Sequence, residues 1–156
     1  MGRAFLVAGF ALAASVAHAD VTLDNGWLRP AYAGQPAAPV YVDINSTQAL
    51  KLVGASSPAA SGAELVLVDP PGAGPSAPKI VRELTVAANK ATRLAYLGSH
   101  IRLTGVRQDL KPGDAIPLTL TFAAAGGKRM RATTEARVRG ISARRPPEPE
   151  NAQTPR

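Results

Sequence analysis

The chain has 156 residues, no cysteine and a formal net charge of +7. The lack of cysteine excludes a disulfide framework and any thiolate metal site, and the length suits one hydrophobic core rather than two. Fourteen Pro and fourteen Gly, with no sustained helical period, favour many short strands and turns.

The first nineteen residues read as a signal peptide. Arg3 gives a short positive start, Ala4 to Val16 is an almost unbroken apolar run, and Ala17-His18-Ala19 supplies the small-x-small pattern of a cleavage site. The run is shorter than the roughly 20 apolar residues that a transmembrane helix needs. Cleavage after Ala19 is expected, leaving Asp20 as the mature N-terminus of a periplasmic protein with no transmembrane segment.

Strand patterning follows, in chain order. Val21, Leu23 and Trp27 open the domain. Val40, Val42 and Ile44 share one face, with Tyr41, Asp43 and Asn45 on the other. Leu65 and Leu67 alternate with Val66 and Val68, which predicts a strand apolar on both faces. Asp69 to Pro75 is a loop, because its prolines carry no N–H to donate to a ladder. Lys111-Pro112-Gly113-Asp114 suits a type II turn, with proline presetting φ and glycine taking the positive φ. Ile116, Leu118, Leu120 and Phe122 form the clearest apolar stripe. Met130, Ala132, Thr134, Ala136 and Val138 form the last, with Arg129, Arg131, Arg137 and Arg139 facing out. From Ser142 onward no apolar residue can join a core, so residues 141–156 are expected to be a disordered Pro- and Arg-rich tail.

These seven or eight strands predict an all-β chain: an antiparallel Greek-key sandwich or barrel, one domain over residues 20–140. From Lys128 to the end there are eight basic and three acidic residues, so most of the positive excess sits in the last strand and tail. Such a patch can meet an anionic membrane surface or an acidic partner. Without interleaved stacking aromatics, nucleic acid is not an expected partner. A solvated edge strand kept soluble by its arginines is the plainer reading.

Three stretches carry a family resemblance: Asn25-Gly26-Trp27-Leu28-Arg29-Pro30; YVDINSTQALKLVGASSPAASGAE from Tyr41 to Glu64; and GSHIRLTGVRQDLKPGDAIPLTLTF from Gly98 to Phe122. In order and spacing they resemble the PCu(A)C family of periplasmic copper chaperones. The resemblance implies a cupredoxin-like β-barrel, a monomer, Cu(I) as cargo, and a partner such as the copper site of a cytochrome oxidase under assembly. It also implies a ligand pattern: a histidine after an Glu-Leu pair, methionines beyond it, and a later H-x-M pair. Thioether and imidazole are suitable donors for Cu(I), and an H-x-M pair on a strand sends both side chains to one face.

Against that pattern the chain keeps His100 as its one candidate metal ligand. Val66 stands after Glu64-Leu65, the stretch from Asp69 to Arg82 has no methionine, and Arg102 replaces the methionine of the H-x-M pair. Met130 falls on an apolar stripe, where filling the core is its expected role. The family copper site therefore reads as degenerate. No catalytic constellation is present: there is no thiol, a single histidine beyond the leader, and only scattered carboxylates, so the chain is not expected to be an enzyme. Three readings remain: a copper chaperone; a metal-free binding or scaffold protein on the same fold; and a small-anion carrier that uses Arg102 beside His100.

Overall fold

The computed structural model of the chain describes residues 20–70, 72–74 and 77–140. The expected leader and tail lie outside the described residues. Ten strands run in order: β1 (Val21–Leu28), β2 (Ala37–Ser46), β3 (Leu50–Ser56), β4 (Ala60–Leu67), β5 (Lys79–Val81), β6 (Leu84–Val86), β7 (Thr92–Leu94), β8 (His100–Val106), β9 (Ala115–Ala124) and β10 (Arg129–Val138). Two or three more strands form than the patterning foretold, because β5, β6 and β7 are three residues each and too short to show a period. No helix occurs among the described residues.

The strands hydrogen-bond in the order β5-β4-β8-β2-β1-β10-β9-β3-β6, with β7 also on β2. β3 and β4 are consecutive in sequence yet lie towards opposite ends of this path, so the sheet curls on itself into a nearly closed Greek-key barrel. The predicted stripes line its interior. Ile116, Leu118, Leu120 and Phe122 of β9 are all buried, as are Ile101 and Leu103 of β8 and Val40, Val42 and Ile44 of β2. Each such side chain contributes about 1.5–3 kcal/mol by leaving water. In β10, Ala136 and Val138 are buried and Met130 packs against the core, while Arg129, Arg131 and Arg137 are exposed. The turn at Lys111 also forms as read, with the Asp114 amide donating to the Lys111 carbonyl at 3.0 Å and Gly113 at φ +98°.

One pairing was not visible in the sequence. β1 lies parallel to β10, with Trp27 opposite Arg137 and Leu28 opposite Val138, while every other strand pairing is antiparallel. β1 reaches β10 through a bulge between Asp24 and Trp27, where Asn25 adopts φ +53°, a conformation that asparagine tolerates. Gly26 makes the approach possible. A Cβ there would sit 2.9 Å from the Glu135 carbonyl oxygen. Gly26→Ala is therefore expected to push β1 off β10 and lower stability by about 1–3 kcal/mol in urea unfolding.

Candidate functional site

The interior positions of β4 and β8 decide what their outer faces present. Leu65, Ile101 and Leu103 point into the core, so alternation sends Glu64, Val66, His100 and Arg102 outward. The antiparallel register sets Val66 directly opposite His100, and Glu64 directly opposite Arg102. Opposed Cβ atoms in such a ladder lie about 5 Å apart. The positions that the resemblance assigns to the two histidines thus do face each other, but one of them holds an isopropyl group.

Arg102 does not stand free beside His100. Its Nε donates to Oε2 of Glu64 at 2.8 Å, and its Nη2 donates to the same oxygen. Both side chains are 35% exposed, so the pair adds no more than about 1 kcal/mol of stability. Its larger effect is electrostatic: the guanidinium is neutralised by a carboxylate one strand away. This removes the basis of the small-anion reading, which needed an uncommitted positive charge. The signal was in the sequence, since Glu64 and Arg102 lie on strands whose pairing fixes their opposition, but only the register reveals it.

His100 is half-buried, and its Nδ1 lies 2.8 Å from the Gly98 carbonyl oxygen. Nδ1–H donating to that carbonyl leaves Nε2 as the bare lone-pair nitrogen. Around it the outer face is apolar. The row that crosses the sheet through His100 contains Ile80 of β5 and Val66 of β4. On the other side comes Tyr41 of β2, whose ring centroid is 6.0 Å from the imidazole. Trp27 of β1 follows, stacked in a tilted geometry 4.6 Å from Tyr41. Tyr96 meets Tyr41 edge-on at 6.2 Å.

One sequence expectation changes here. Tyr41, placed on the polar face of its strand, is 5% exposed because Trp27 and Tyr96 flank it. Trp27 belongs to this outer row, away from the buried core, where the alternation with Leu28 directs it. Arginines border the row: Arg29 lies 4.5 Å over the Tyr96 ring and Arg139 lies 5.5 Å over the Trp27 ring. Each such cation–π contact contributes about 0.5–1 kcal/mol at an exposed site. Burial raises the Tyr41 phenol above its ordinary value; the Arg29 charge acts against this and Tyr96 adds to it.

Beside His100 the surface dips into a hollow of about 270 Å³ between Tyr41, Val68, Pro78, Tyr96 and Leu97. Its far wall is a tight turn. The Gly98 amide donates to the Ala95 carbonyl at 2.9 Å, and the Ala95 amide donates to the Ser99 carbonyl at 3.1 Å. The Ser99 hydroxyl then fastens this turn to the segment after β4, accepting from the Val68 amide at 3.0 Å and donating to its carbonyl at 3.3 Å. At the tip Leu97 holds φ +66° and is 80% exposed. A bulky residue in that conformation costs about 1–2 kcal/mol, and burial does not repay it. Sequence reasoning passed over Leu97 because nothing local marks a leucine as left-handed.

The donor set does not fit a Cu(I) ion held by this chain alone. Among the described residues no three His, Cys, Asp or Glu side chains come together, and Met130 is committed to the core. One imidazole and two phenols remain at the hollow. Neutral phenols are poor donors for a soft ion.

The barrel has the cupredoxin-like fold of PCuAC domains. The chain belongs to the LpqE-like lipoprotein family, whose model matches residues 21–134. Among solved structures it is similar to the copper-bound PCuAC domain from PmoF2, at 20% identity and TM-score 0.59 over 77% of this chain and 92% of that one. It is similar to the apo PCuAC domain from PmoF1, at 22% identity and TM-score 0.58 over 77% and 93%. The Cu(I) form of DR1885 from Deinococcus radiodurans matches at 25% identity and TM-score 0.52 over 74% and 75%. No curated protein matches the sequence. No helix among the described residues is long and apolar enough to cross a membrane.

The raised Tyr41 value carries a sign. The folded chain prefers the neutral phenol, so the associated stability is fully present below pH 10.0 and is lost as pH climbs through the folded-state value. Tyr41→Phe, followed by thermal unfolding across that range, is expected to lose melting temperature less steeply than the parent.

Proposed function

We propose that this chain is an exported, periplasmic binding protein on the copper-chaperone fold, which engages a partner polypeptide through the face around His100 and carries no copper ion on its own side chains. The observation that supports this reading best is the β4–β8 register. It pairs His100 with Val66 and ties Arg102 to Glu64, which replaces the donors the resemblance implies with an apolar contact and a closed ion pair. Leu97 and Tyr96 add support: they project beside the hollow at 80% and 50% exposure, and large apolar groups held in water mark contact surfaces. The reading includes a leader cleaved after Ala19 and one domain over residues 20–140.

A second reading keeps copper. His100 has the arrangement common to metal-binding histidines, one ring nitrogen donating to a carbonyl and the other bare. A partner that brings the remaining ligands would make His100 one donor in a shared site, as in delivery to an oxidase copper centre. Titration of Cu(I) against a chromogenic competitor separates the two. The isolated chain is expected to bind no more tightly than His100→Ala; stoichiometric binding lost in that variant would establish the copper reading instead. The double substitution V66H/R102M is expected to install tight Cu(I) binding, because both new donors then share one face with His100.

Leu97 tests the docking face directly. A photo-crosslinking residue at position 97, expressed in the native host, is expected to trap a discrete partner that the same residue at exposed Lys90 does not. Leu97→Gly is expected to leave the melting temperature unchanged or raise it, since glycine accepts the positive φ, while co-purification of that partner is lost. Identical adducts from both positions would remove the face from consideration.

A further inference from the structure

Five cations among the described residues are committed to a carboxylate or a ring. Lys51 pairs with Glu83 at 3.1 Å, Lys79 with Asp69 at 3.6 Å, and Arg102 with Glu64; Arg29 and Arg139 lie over aromatic rings. Lys128, Arg129 and Arg131 form none of the salt bridges found among the described residues, and all three are exposed. They stand at one end of the face formed by β3, β9 and β10, well removed in the strand order from β4 and β8.

The registers show what lies between them. Arg129 is opposite Ala123, which is opposite Lys51; Arg131 is opposite Thr121, which is opposite Gly54. In the next row Thr133 is opposite Thr119, which is opposite Ser56, and the two threonine hydroxyls are 3.0 Å apart. The side chains between the cations are thus methyl groups, hydroxyls or hydrogen. With strands about 4.8 Å apart, Lys51 and Arg129 stand about 10 Å from each other across a shallow floor. The acidic groups near this face are Glu83, held by Lys51, and Glu135, in the row after Thr133 and two rows from Arg131. A hollow of about 250 Å³ opens beside Lys51, but alanines, Leu50 and Thr85 complete its lining, so it offers a small anion one cation only, and no aromatic side chain there is available to stack a base. What the face can meet is an extended plane of negative charge.

We infer that the β3-β9-β10 face, through Lys51, Lys128, Arg129 and Arg131, rests on an anionic phospholipid surface. Charge complementarity carries the inference: Lys128, Arg129 and Arg131 make no ion pair among the described residues, Lys51 beside them is held only by the exposed Glu83, and the small residues between them let a plane of headgroups approach. Each cation near such a surface adds attraction, and screening by salt weakens it. Because this face is distinct from the one around His100, the inference does not depend on the reading given above. A chain resting this way would leave the His100 face directed elsewhere for a partner.

Co-sedimentation of the full chain with phosphatidylglycerol–phosphatidylcholine vesicles tests it. The chain is expected to bind these, to ignore pure phosphatidylcholine, and to be released by high salt. R129Q/R131Q should weaken the partitioning by about thirtyfold, two charges at the usual contribution each, with the melting temperature unchanged. K51Q/K128Q supplies an independent variant should the first fold poorly, and Arg102→Gln, on the other face, should partition as the parent does. Equal binding to both vesicle types, binding to neither, or parental partitioning by both double variants would overturn the inference.

Discussion

The register between β4 and β8 is the constraint on which the site depends. It is set from inside: Leu65, Ile101 and Leu103 must reach the core, and a slip of one residue would turn all of them to water. With that fixed, the outer face has no freedom. His100 meets Val66, Arg102 meets Glu64, and the row continues into Tyr41 and Trp27. Core packing therefore dictates which outer groups become neighbours.

The two outer residues differ physically. Val66 supplies an apolar contact and is itself 2% exposed, so it makes the row drier. Arg102 introduces a charge, yet Glu64 opposite it supplies the counter-charge. The β4–β8 ladder is thus closed by matched groups, with a hollow beside His100 and arginines over aromatic rings at its border.

Much of the fold was legible because its signals are periodic. The stripes of β2, β9 and β10 stand out at a spacing of two, and Pro112-Gly113 announces its turn through backbone requirements that few residues meet. The resemblance carried by Gly98–Phe122 supplied the barrel type. The rest depends on pairing between distant strands, which no local pattern encodes. The parallel contact of β1 with β10 rests on Gly26, whose role emerges only beside Glu135. The Glu64–Arg102 pair and the burial of Tyr41 are likewise products of register, and the left-handed Leu97 sits at the tip of a turn that Ser99 clasps to Val68. Sequence reasoning read His100 and Arg102 onto one face of a strand, and alternation along β8 places them so. It misjudged Arg102, because it weighed the charge without its counter-ion.

Trp27 is the single tryptophan of the chain, and it lies half-buried on the outer row with Tyr41 on one side and Arg139 above. Indole emission responds to the polarity and charge of its surroundings, and here those surroundings are the face itself. Anything that covers the row, displaces Arg139 or brings a quenching metal ion near His100 will change the environment of this one ring. The protein thus contains its own optical probe at the place where occupancy is in question, with no competing indole elsewhere to dilute the signal.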